Sequence, residues 1–104
     1  MFFISLHYIK PLDEVDRRLA EHREYLERHY AAGHFLLSGR KEPRDGGVIL
    51  ARAESRARIE AIVRDDPFHR RALAGYEIVE FVPSRSAIDL AALEGDPGLI
   101  GGPR

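Results

Sequence analysis

Four short apolar runs, "FFISLHYI", "HFLLSG", "GVILARA" and "YEIVEFV", are separated by a long helical pattern, a polar turn and a shorter helical pattern, in that order. The order β-α-β-β-α-β constrains the fold more than any other feature. It predicts an α+β domain of the split-βαβ, ferredoxin-like kind, an antiparallel sheet with two helices on one face. The first run is rich in aromatic and β-branched residues and stops at Lys10-Pro11, which predicts a strand of about seven residues. Asp13 is the expected cap of a first helix of about twenty residues ending at Gly33. "RKEPRDGG" reads as the loop of a hairpin, and Glu54-Ser55 caps the second helix, which ends before Pro67 because the residue preceding proline is pushed out of the α region.

A sheet that meets water on its second face should be polar there. Here "FFISLHYI" sets Phe2, Ile4, Leu6 and Tyr8 on one side and Phe3 and Ser5 on the other, and the remaining strands are apolar at both parities. Such a sheet buries its second face against another, so a homodimer through the sheet face is expected, a tail folded over the open face being the alternative. Residues 1–83 form the domain. Residues 84–104 form an extension with one short helix, Ser86 to Leu93, and a flexible Gly/Pro-rich end.

With 16 basic and 17 acidic residues the formal net charge is -1, so no global field draws in nucleic acid or an anionic membrane. The absence of cysteine removes disulfides, thiolate metal sites and cysteine nucleophiles. "MFFISLHYI" lacks the basic flank and cleavage site of a signal peptide, and no run is long enough to span a bilayer, so a cytoplasmic protein is expected.

One histidine breaks the pattern of the first helix. Val15, Leu19, His22, Leu26 and Tyr30 recur at spacings of four, three, four and four, the apolar stripe of an amphipathic helix. His22 therefore faces the body of the domain, where an imidazole needs partners for its N–H and its lone pair. "VRDDPF" is the natural supplier, since Asp65 or Asp66 stands at the end of the second helix beside the first. A carboxylate on one ring nitrogen fixes the tautomer and makes the other nitrogen a general base or acid. The alternative is a core histidine with a purely structural partner. The other histidines form no metal site: His22 and His29 lie two turns apart, about 10 Å, and there is no His-x-x-x-His pair. His29 and His34 read as solvated residues near the helix end. Ser38 is no nucleophile in a G-x-S-x-G turn but can hydrogen-bond a ligand, and the arginines of "RKEPR" can meet an anionic substrate.

His22 on the first helix, "LLSG" at the second strand and "DDPF" ahead of "YEIVEFVP" together resemble the YciI family, over about residues 1 to 83. That resemblance implies the dimeric α/β barrel seen in muconolactone isomerase. It implies a catalytic pair of His22 and Asp66. Ser38, Gly39, Phe68 and His7 are the expected substrate-binding residues around that pair, with an edge or interface histidine as the alternative for His7, and neither metal nor cofactor is expected. The chain departs from the family at Arg40, where members often carry proline, and at Arg71-Ala72, where they often carry Ala-Gly. The implied chemistry is proton transfer, by elimination, isomerisation or lyase-like abstraction, on a small cyclic or aromatic compound. The competing expectation is a non-catalytic module that binds a small ligand in the same cleft.

Overall fold

The computed structural model describes residues 1–85. Its elements are β1 (Phe2–Tyr8), α1 (Leu12–Asp16), α2 (Leu19–Ala31), β2 (Phe35–Arg40), β3 (Gly46–Ala51), α3 (Arg56–Arg64), α4 (Pro67–Arg70) and β4 (Ala74–Glu80). The sheet order is β2-β3-β1-β4 and every neighbouring pair is antiparallel. Each helical crossover thus skips one strand, the split-βαβ topology expected from the order of apolar runs. The short helix expected over 86–93 lies outside the described residues.

One core fills the space between sheet and helices. Phe2, Ile4 and Leu6 of β1 meet Val15, Tyr25, Ile59, Ile62, Val63 and Phe68, all buried. Full burial of each aliphatic or aromatic side chain contributes about 1.5–3 kcal/mol relative to exposure, so this layer dominates stability. Ser55 caps α3 as expected, its hydroxyl accepting from the Arg58 backbone N–H at 3.1 Å.

Three local expectations are corrected. The long first helix is two: Arg18, at φ -110° and ψ 7°, interrupts the run and separates α1 from α2. The cap of α1 is Pro11 rather than Asp13, which sits in the first turn instead. The buried stripe of α2 is rotated toward Tyr25, 1 % exposed, and away from Tyr30, 40 % exposed. Tyr25 wins because its phenol has a buried partner, donating to the Ile62 carbonyl at 2.8 Å, so its ring is buried without stranding its hydroxyl. Beyond α3 the chain turns into a further short helix. Asp66 accepts from the Phe68 backbone N–H, Pro67 takes the first helical position, and α4 turns Phe68 into the core.

The second face of the sheet is apolar in one row. Register places Leu37 opposite Leu50, Leu50 opposite Phe3 and Phe3 opposite Val79, across all four strands. Phe3, Leu37 and Val79 are exposed, as are Phe81 and Val82 just beyond β4.

Candidate active site

Asp66 is the one fully buried charged residue among those described. Its position comes from local chemistry: it is the cap of α4, so its carboxyl must turn toward the backbone N–H groups of "PFHR". Oδ1 accepts from the Phe68 N–H at 3.0 Å and lies 2.9 Å from His22 Nδ1, while Oδ2 accepts from the Tyr76 hydroxyl at 2.6 Å. A carboxylate only accepts, so Nδ1 carries the imidazole proton and Nε2 keeps the lone pair. Among the described residues Nε2 has no protein partner and is not sealed from solvent. The ring of Phe68 lies flat on the imidazole, 4.1 Å between centroids and 3° from parallel, which holds the imidazole orientation.

Tyr76 is invisible as a site residue in sequence. Its placement needs the register of β4 on β1, which sets Tyr76 opposite Leu6 and so on the helix side of the sheet. Burial, and next the charge of Asp66, push its phenol above the ordinary range, so it remains a donor.

His22 opens onto a cleft of about 480 Å³. Leu6, Tyr8, Leu19, Leu26, Ile49 and Phe68 give it apolar walls, and Ser38, Gly39, Gly46 and Gly47 give it polar backbone and one hydroxyl. Arg23, Arg40, Arg44 and Asp16 also line it. The Ser38 hydroxyl is engaged by Tyr30 at 2.6 Å. Asp16 and Arg44 are paired, and the hydrogen bond from Arg44 holds the Asp16 carboxyl below the usual range. Of the residues expected at the site, His22, Ser38, Gly39 and Phe68 therefore share the cleft wall, with Asp66 behind His22. His7 does not share it. It belongs to the β1 parity of Phe3 and Ser5, is exposed on the far face of the sheet, and stands opposite Gly75. Among the described residues no group of three or more carboxylate and imidazole side chains converges to hold a metal.

His29 and His34 are not the solvated pair expected. Their Nδ1 atoms are 3.1 Å apart, so one donates and the other accepts, and His29 packs its ring against Tyr25 and Phe35. Nε2 of His29 is buried without a hydrogen bond among the described residues, 3.9 Å from Asp65 Oδ2. Burial first, then the charges of His34 and Arg28, lower the pKa of His29. The folded chain thus keeps this ring neutral where the unfolded chain, with a histidine pKa of about 6.5, takes up a proton. The unfolded state binds more protons below that value, so stability is full above it and falls as pH drops toward the folded pKa. His29→Phe should flatten this decline. Urea midpoints above and below about pH 6.5 read the effect, and an unchanged slope in the variant would refute it.

The topology and the helix-side cleft define an α+β domain of ferredoxin-like fold. The sequence matches the YCII-related domain over residues 1–82, and the chain belongs to that family. A comparison with curated proteins gave no match. Among solved structures the chain is similar to 5-chloro-2-hydroxyhydroquinone dehydrochlorinase from Burkholderia phenoliruptrix, solved in complex with 2,5-dihydroxybenzoquinone. The TM-score is 0.67 at 21 % identity, with 81 % of this chain and 96 % of that one covered. Among the described residues no helix is long and apolar enough to cross a membrane.

Proposed function

We propose that this chain is a small-molecule enzyme that moves a proton on a small cyclic or aromatic compound, with His22 Nε2 as base and acid and Asp66 as its fixed partner. The observation behind this reading is the buried carboxylate of Asp66, 2.9 Å from Nδ1 of a histidine that lines an apolar cleft. Three donors hold that carboxylate, so it does not turn away when the imidazole becomes charged. Nε2 takes a proton from the ring compound or its hydroxyl. The electron pair left behind expels a leaving group in an elimination, or is reprotonated at another carbon in an isomerisation. Asp66 then faces an imidazolium and stabilises it. In this reading the Ser38 hydroxyl, which lines the cleft, holds a substrate oxygen. Similarity in fold to a dehydrochlorinase supports the choice of ring compounds and of elimination.

The reading includes a homodimer. The apolar row of Leu37, Leu50, Phe3 and Val79 spans the sheet on the side away from the helices, and a second copy of the same face is a self-complementary cover for it.

One preparation of wild-type protein tests both parts. Sedimentation velocity should give a dimer at micromolar concentration, and a monomer there overturns the quaternary part. Incubation with 5-chloro-2-hydroxyhydroquinone and unchlorinated analogues in D2O, with NMR detection, should show chloride release or deuterium entering the ring faster than in buffer. A panel that binds and returns unchanged and unlabelled overturns the enzyme reading in favour of a binding module.

A further inference from the structure

We infer that the compound bound in this cleft carries an anionic group, a carboxylate or an ionised enol, and that Arg23 receives it; this rests on the proton-transfer reading of the same cleft. The chain as a whole is almost neutral, yet the cleft wall has three arginines, Arg23, Arg40 and Arg44, against one acid, Asp16. Two of the three are already engaged. Arg44 is paired with Asp16, and Arg40 lies 3.2 Å from Glu42. Two arginines nearby are engaged as well, Arg18 at the cap of α2 with Glu21 at 3.0 Å and Arg28 of α2 with Asp65 at 3.5 Å. Arg23, the residue directly after His22, makes no hydrogen bond or ion pair among the described residues, although Glu27 stands one turn away.

Its place beside His22 gives that free guanidinium a use. Adjacent helix residues point about 100° apart, so Arg23 flanks the imidazole instead of covering it. A ring lying on the apolar wall with one edge at His22 can present a second substituent to Arg23. A guanidinium meets a carboxylate with two parallel hydrogen bonds, and Arg23, an exposed side chain of the cleft wall, is free to turn onto one. An anion held there also sets which ring atom faces Nε2, so binding and orientation come from the same contact.

The test compares two probes that differ by one carboxylate, 2,5-dihydroxybenzoate and hydroquinone. Their dissociation constants are measured by calorimetry on the full chain, and amide NMR shifts of Gly39 and Gly47 report whether they occupy the cleft. In wild type at low salt the carboxylate should bind about tenfold tighter, and the preference should shrink as ionic strength rises. In Arg23→Gln the ratio should fall to within about twofold of unity, whereas Arg40→Gln should keep most of the preference. A wild-type ratio near one, or a preference that survives Arg23→Gln, overturns the inference and leaves the ring cleft standing. If neither probe moves Gly39 or Gly47, both the inference and the choice of ring compounds are overturned.

Discussion

Asp66→Ala is expected to cost about 3–5 kcal/mol of folding stability, the range for removing one partner of a buried polar network. The side chain is 0 % exposed and accepts from three groups, so its removal strands the Phe68 N–H and the Tyr76 hydroxyl in the core together. His22 is better off, since its ring reaches the cleft and water. Loss of the cap also loosens α4, which holds Phe68 in place. Asp66→Asn is the control, because it keeps the shape and one acceptor oxygen and should cost about 1–2 kcal/mol. Urea unfolding of both variants, monitored by circular dichroism, gives the comparison. Equal midpoints for alanine and asparagine would mean that the network contributes little and that Asp66 is kept for chemistry alone.

That network was only half legible in sequence. The element order was readable because strand and helix periodicities differ and Pro, Gly and Ser mark the ends. His22 stood out as a polar residue on an apolar stripe, and the Asp65-Asp66 pair by its place before a proline, with the family resemblance choosing Asp66 of the two. The helix break at Arg18 has no such mark, since "VDRRLAEH" contains neither proline nor glycine. Tyr25 and Tyr30 both fit a helical stripe, and only the Ile62 carbonyl, far along the chain, decides between them. Tyr76 required strand register, and the short α4 required seeing that Asp66 caps a new helical turn starting at Pro67. His7 is a different case. Alternation along "FFISLHYI" already assigns it to the side of Phe3 and Ser5, so a cleft on the helix side excludes it without any structure.

His22→Ala should lower turnover of whichever ring compound the wild type converts by about 10²–10⁴-fold, the usual contribution of a positioned general acid or base. Asp66→Asn should lower it less, about 10–10²-fold, and the geometry gives the reason. Oδ1 serves both the Phe68 N–H and His22 Nδ1, whereas Oδ2 meets only a hydroxyl, which can reverse its role. A backbone N–H cannot become an acceptor. The new amide must therefore put its oxygen at the Oδ1 position and its NH2 toward Tyr76. His22 then keeps its proton on Nδ1 and its lone pair on Nε2, and the loss is confined to the negative charge facing the imidazolium. Nitrogen-15 shifts of the two ring nitrogens in neutral His22 should thus report the same tautomer in wild type and Asp66→Asn. A tautomer that moves its proton to Nε2, with turnover as low as in His22→Ala, would show that Phe68 does not fix the amide. Wild-type turnover in His22→Ala would remove the imidazole from the chemistry, leaving Asp66 as a helix cap whose histidine is a packing partner.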